Sequence, residues 1–265
     1  GTQGGVIDLH GEWRLSSVDG DHRATITLPG DVHSALHAAN FIPDPYFGRN
    51  EEVVQWVAER DWMVERQVMV PDVSGSWYLD IDYLDTVAVV FVNDVPVLSA
   101  DNCFRRYRPE VSHALQPGEN TVRIVFHSSL TAGAERQARQ PFYVPYHKGN
   151  SPLPHGNMLR KPQCHFGWDW NIAIAPLGLY GTLSLKKLDP ARIEHVETEQ
   201  VHQADGRVEL KVTATIHSAE PAVVPVHFAL DGDRVRLDVG IAAGETKVVH
   251  VFEIESPRLW WPAGS

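Results

Sequence analysis

The stretch "RKPQCHFGWDWNI", Arg160 to Ile172, places one carboxylate, Asp169, between two indoles, Trp168 and Trp170. An ionised aspartate accepts up to four hydrogen bonds, and charge-assisted bonds are the stronger ones. An indole offers a broad apolar face and a single N–H donor. Together they suit a ligand with hydroxyls on its rim and C–H groups on its face, the chemistry of a sugar ring. The same three residues would also serve a structural purpose, with the tryptophans plugging a seam and Asp169 capping a turn. Composition alone leaves both readings open.

Other chemistry-bearing residues carry less. His33 and His37 lie four apart on a helical stretch, a spacing that can put two metal ligands on one face. No glutamate stands in the zincin position and no third ligand is evident, so two partly exposed helix histidines are expected. His165 adjoins Cys164, but adjacent residues rarely converge on one metal, and no Cys-x-x-Cys occurs; no metal is expected. Asp80, Asp82 and Asp85 could form a calcium-binding rim, yet strand alternation already assigns Asp80 and Asp82 to a wet face. Arg105, Arg106 and Arg108 form a short basic cluster, read as solvated or internally paired. There is no Gly-x-Ser-x-Gly elbow, phosphate loop or dinucleotide fingerprint, and no cofactor is expected.

The elements that must position these residues are mostly strands. "WMVERQVMV", "SWYLDIDYL", "VAVVFVNDVPVLS" and "NTVRIVFHS" are short β-branched or aromatic runs between turn residues. Asn93-Asp94 is a tight turn within the third of these. Val32 to Ala39 has helical spacing, bounded by Pro29-Gly30 and Pro43. From about Thr131 to His165 the periodicity stops; "AGAERQAR" accommodates one or two helical turns, and the aromatics Phe142, Tyr143 and Tyr146 argue against disorder. The Trp-Asp-Trp stretch follows, fitting neither strand nor helix, and "GLYGTLSLKKL" returns to strand. Asp189-Pro190 marks a boundary. Beyond it "RVELKVTATIH" alternates cleanly, "HFALDGDRVRL" is a hairpin turning at Asp231-Gly232, and "TKVVHVFEI" is a strand of ambiguous facing. This spacing predicts an immunoglobulin-like sandwich, which ends at "PRLWWPAGS" very soon after its last recognisable strand.

The 265 residues are 43% apolar and 22% charged, with a net charge of −11, values of a globular protein. The acidity disfavours nucleic acid and anionic membranes as partners. No segment has the length of a membrane span. The first residues show no basic stretch followed by an apolar one, so no signal peptide is read there. With only two cysteines, a reducing, cytoplasmic location is expected.

The chain resembles the N-terminal part of a family 2 glycoside hydrolase, in its β-mannosidase branch. The stretches that carry the resemblance are "LPGDVHSALHAANFIPDPYFGRNE", "WVAERDW", "LDTVAVVFVNDVPV", "ADNCFRRYRPEV", "LQPGENTVRIVFHSS", "RKPQCHFGWDW" and "PRLWWPAG", in the family's order and over nearly the whole chain. The resemblance implies an all-β chain. A jelly-roll, galactose-binding-like β-sandwich would span residues 1–188, and an immunoglobulin-like β-sandwich, cut short before its last strand, residues 189–265. It implies a retaining exo-β-mannosidase whose two catalytic glutamates sit on a (β/α)₈ barrel outside this chain, and an oligosaccharide with terminal β-mannose as partner. Carried over by position, Asp169 would accept bonds from non-reacting sugar hydroxyls and Trp168 would pack at the pocket wall, with Trp170 beside them. The family continues Trp-Asp-Trp with Gly-Pro, whereas this chain has Asn171-Ile172. A β-galactosidase or β-glucuronidase parent, a stand-alone carbohydrate-binding module and a ligand-free structural pair are the alternatives.

Overall fold

Strand periodicity of two decides the architecture. The computed structural model describes residues 5–149, 151–188 and 191–260, and the chain divides into two compact units, Gly1–Lys187 and Leu188–Ser265. The predicted boundary residues Asp189 and Pro190 lie outside the described residues, as do Trp261 to Gly264 of the "LWWPAG" stretch.

In the first unit a six-stranded antiparallel sheet runs, edge to edge, through Arg23–Leu28, Gly11–Ser17, Trp62–Val70, Gly118–Phe126, Ala88–Val92 and Val95–Ala100. A second sheet pairs Val6–Asp8 with Leu183–Lys187 and that strand with Trp77–Ile81. Alternate side chains of both sheets meet in one core, with Val64, Val90 and Ile124 from the large sheet and Leu79, Ile81 and Leu185 from the small one. Burial of apolar surface on this scale is the dominant favourable contribution to folding. Trp13 and Trp62 are sealed in it, and their indole N–H groups donate to the carbonyls of Leu9 (2.9 Å) and Val57 (2.8 Å), so neither polar atom is left unpaired. Asn93 and Asp94 both have left-handed φ angles, +47° and +65°, as a two-residue hairpin turn requires.

The helix Val32–Ala38 starts where predicted. Asp31 caps it, accepting from the Ser34 amide (2.9 Å) and the Ser34 hydroxyl (2.8 Å). The helix Ser129–Ala138, capped by the Ser128 hydroxyl, is longer than the one or two turns read from its sequence.

Two expectations are corrected. Asp80 is not on a wet face: its side chain is 1% exposed. The segment around Tyr107 and Pro109 pairs along the free edge of Trp77–Ile81, and the side chains of Arg106, Arg108 and Lys186 gather over Asp80. Burial pushes the Asp80 carboxyl up, but the hydrogen bonds and charges of Arg106 and Lys186 outweigh this and hold it down at about 2. Arg106 binds it through two nitrogens at 2.6 Å each, Lys186 at 2.7 Å, and Arg108 stands 3.6 Å away. Of the basic cluster, Arg106 and Arg108 are thus internally paired, while Arg105 lies exposed over the Tyr107 ring. The strands Arg23–Leu28 and Ala191–His202 were not expected; the latter is exposed on both faces from His195 onward, so it has no apolar period to read.

In the second unit Ala191–His202, Val208–Ser218 and Gly244–Ile254 form one antiparallel sheet, and Ala222–Leu230 pairs with Asp233–Ile241 in another. Ala214, Ile216, Val226, Phe228, Val248 and Phe252 meet between them. The facing of "TKVVHVFEI" is settled, with Val248 and Phe252 inward.

Candidate functional site: an aromatic hairpin beside a cleft

The Trp-Asp-Trp stretch is a short β-hairpin. Phe166–Trp168 pairs antiparallel with Asn171–Ala173, Phe166 opposite Ala173 and Trp168 opposite Asn171, and Asp169-Trp170 closes it. All three residues singled out from sequence therefore lie at one apex. Trp168 is 37% and Trp170 76% exposed, with ring centroids 5.2 Å apart and planes inclined at 49°. Asp169 is exposed, and among the described residues it has no hydrogen-bond or ion-pair partner. Its acceptor sites are open to whatever meets the apex.

The base of the hairpin is fixed by groups far away in sequence. Phe166 is buried with Ala58, Ala132, Leu159 and Ala175. Gly167 has a φ of +106°, and a Cβ there would lie 2.5 Å from Pro152 Cδ and 3.1 Å from the Ala173 Cβ, so both conformation and space demand glycine. Gln55 donates to the Ala173 carbonyl (2.6 Å), and the Ala173 amide donates to Glu51 (3.2 Å). These two residues come from the short helical turns that follow "DPYFGRN", where Tyr46 and Phe47 are exposed. Sequence reading did not single out Glu51 or Gln55, and no signal in the sequence joined this segment to the hairpin.

The departure at Asn171-Ile172 has a structural answer. Asn171 lies in extended strand, outside the left-handed region, and its side-chain amide donates to the Cys164 carbonyl at 2.8 Å. Ile172 is half-buried against the main core. Both residues anchor the hairpin.

Next to the hairpin lies a cleft of about 550 Å³ between the helix Val32–Ala38 and the strand Asn171–Ala173, lined among others by Asp31, Asp44, Tyr83, His165, Ile172 and Tyr180. Among the described residues no lysine or arginine lines it. Tyr83 and Tyr180 meet edge to face, their centroids 5.5 Å apart. His33 also borders the cleft, and it corrects the expectation of a partly exposed helix histidine: it is 2% exposed, and neither ring nitrogen has a partner among the described residues. Burial lowers its pKa to about 4 against the opposing pull of Asp31, so the ring is neutral near pH 7. His37 sits exposed one turn on, its Nδ1 3.3 Å from the Ile42 carbonyl. Among the described residues no three histidine, cysteine or acidic side chains are placed to hold a metal, and no helix is long and apolar enough to cross a membrane.

Beneath the cleft is a sealed ion pair. Lys161 Nζ lies 2.6 Å from Asp85 Oδ2, and both side chains are fully buried. Burial pushes the Asp85 carboxyl up, and the adjoining ammonium outweighs this and holds it below the usual range. The Thr86 hydroxyl also donates to Asp85. Asp85 was read from sequence as one of three acidic neighbours; its pairing with Lys161, 76 residues away, was invisible there.

Comparisons with known proteins follow this geometry. Residues 13–181 match the family model described as the glycosyl hydrolase 2 galactose-binding domain-like family. A β-mannosidase of Bos taurus is 32% identical over 97% of this chain and 31% of its own length. A probable β-mannosidase of Caenorhabditis elegans is 33% identical over 68% of this chain and 21% of its own. Among solved structures, the β-D-mannosidase of Dictyoglomus thermophilum superposes with a TM-score of 0.87 at 26% identity, over 98% of this chain and 32% of that one. The exo-chitosanase CsxA of Amycolatopsis orientalis shares the fold, with a TM-score of 0.71 at 16% identity over 98% of this chain and 30% of that one. The chain thus spans about a third of the length of the curated β-mannosidases it matches across its length. With the match covering most of the β-sandwich that carries the hairpin, this chain belongs to the glycosyl hydrolase 2 galactose-binding domain-like family.

Proposed function

We propose that this chain supplies one wall of the sugar pocket of a retaining exo-β-mannosidase, which releases terminal β-linked mannose from oligosaccharides. The observation that carries the reading is Asp169, an exposed carboxylate with no protein partner among the described residues, held between two tryptophans at the tip of an anchored hairpin. In this reading Asp169 accepts hydrogen bonds from hydroxyls away from the reacting carbon, and Trp168 and Trp170 offer apolar faces to the ring. Contacts to such non-reacting groups position the substrate and lower the barrier. The reacting carboxylates are supplied from outside these 265 residues. The similarity to β-mannosidases of animals and fungi along the chain supports the choice of sugar.

Asp169→Ala in the full-length enzyme tests it. A charged hydrogen bond lost in the transition state costs about 2 kcal/mol, roughly 30-fold in kcat/KM on an aryl β-mannoside. Unchanged kcat/KM in a folded variant would favour a structural pair without ligand. The 265-residue chain alone is expected to turn over no aryl β-mannoside. Saturable binding of mannose or short β-mannans by the isolated chain, read by calorimetry, would favour a stand-alone binding module instead. A β-galactosidase- or β-glucuronidase-type parent is disfavoured by the similarity to β-mannosidases over 97% of the chain.

A further inference from the structure

We infer that the buried Lys161–Asp85 pair is a positioning device for the Trp168–Asp169–Trp170 hairpin: one ammonium ties the start and the end of the hairpin-bearing segment to a fixed carboxylate. Three observations carry this. Lys161 stands just before the hairpin, and its Nζ donates both to Asp85 Oδ2 (2.6 Å) and to the carbonyl of Pro176 (2.5 Å), which stands just after it. The single Nζ therefore closes the whole excursion into a loop. Asp85 is itself built into a sheet. It belongs to the two-residue strand Leu84–Asp85, which pairs with Gly178–Leu179, the strand that Pro176 leads into. A Cβ on Gly178 would lie 2.3 Å from the Gly30 carbonyl on its other neighbour, so that seam admits no side chain. Finally, the same Asp85 oxygen faces the segment's own His165, whose Nδ1 is 3.3 Å away. Gln55 and Glu51 also hold the segment at Ala173, and Phe166 is buried against Ala58 and Ala132. Lys161 is the tie that joins its two ends, while the bonds of Asn171 to the Cys164 carbonyl and of the Ala175 amide to the His165 carbonyl (2.8 Å each) are internal. These internal bonds shape the hairpin without orienting it on the sandwich.

A sealed ion pair is a costly way to gain stability, since desolvation cancels much of the attraction. Its better-attested use is to select one arrangement over near alternatives. A hydrophobic residue at position 161 could fill the space, but it could not pick out one carbonyl and one carboxylate. Lys161 acts on substrate only through the hairpin, and its effect on catalysis rests on the sugar-wall reading above. The geometric claim is tested without any sugar.

The experiment is fluorine NMR of the 265-residue chain labelled with 5-fluorotryptophan, the Trp168 and Trp170 signals being assigned by Trp168→Phe and Trp170→Phe. In Lys161→Met the signals of core Trp13, Trp62 and Trp77 are expected to stay in place, while those of Trp168 and Trp170 shift and broaden. If the single variant does not fold because Asp85 is left buried and unpaired, Lys161→Met/Asp85→Asn removes both charges and carries the same expectation. Trp168 and Trp170 signals unchanged in a folded variant overturn the inference. Loss of the core signals in both variants also overturns it, because the pair would then hold the unit as a whole. Either result leaves the Asp169 test of the sugar wall untouched.

Discussion

The hairpin of Ala222–Leu230 with Asp233–Ile241 and the hairpin of Phe166–Trp168 with Asn171–Ala173 are both closed by two residues. The first runs nine residues on each side. Its turn, Asp231-Gly232, has both residues in the left-handed region (φ +45° and +99°), which matches the twist of its strands. It is specified by its own sequence: alternation sets the register and the turn sets the reversal. The second has three residues on each side, and neither Asp169 nor Trp170 has a positive φ. So short a ladder is not stable by itself. It stands because Phe166, Gly167, Gln55, Glu51 and Lys161 fix it from outside. A hairpin made this way can devote its turn residues to something other than turning, and here they are an aspartate and a tryptophan presented to solvent.

That contrast can be broken or sharpened. The largest effect is expected from Phe166→Ala, which empties the buried anchor of the short hairpin. A loss of about 3–5 kcal/mol is expected for truncating a core phenylalanine, read as a shift in urea midpoint at constant slope. A loss under about 1 kcal/mol would mean that the hairpin carries itself. Gly167→Ala comes next, at about 2–3 kcal/mol, because it adds a clash with Pro152 to the conformational cost. Gly232→Ala isolates the conformational cost, since a Cβ there meets nothing within 4 Å; about 1 kcal/mol is expected by calorimetry. Equal losses at the two glycines would remove the claim that the short hairpin is held by its surroundings. Smallest of all, Asp169→Ala in the 265-residue chain should change stability by less than about 0.5 kcal/mol, since the side chain is exposed and has no hydrogen-bond or ion-pair partner among the described residues. A clear destabilisation would revive the view of Asp169 as a turn cap.

The same contrast explains what could be read from sequence. Where a segment is specified locally, reading succeeded: Trp62–Val70, the Asn93-Asp94 and Asp231-Gly232 turns and the capped helix at Val32 follow from period and turn chemistry, while in Val208–Ser218 the inward set was read but the expected outward Thr215 is buried. The three apex residues were legible by composition, since two indoles around a carboxylate stand out anywhere. Their support was not. Lys161 and Asp85 are far apart in the chain, and nothing in a single sequence pairs a lysine with one carboxylate among many. Asp80 was misread for a related reason: alternation says which residues share a face, but only tertiary packing says what covers it. Ala191–His202 escaped because an edge strand exposed on both faces carries no pattern.

The inclination of the two tip indoles has a stereochemical consequence. Rings whose planes meet at 49° cannot both lie flat on one face of a single pyranose. If a saturated ring stacks on one indole, it turns its rim towards the other, and the carboxylate between them fixes which rim hydroxyls fall within reach. The tip is therefore a corner rather than a platform.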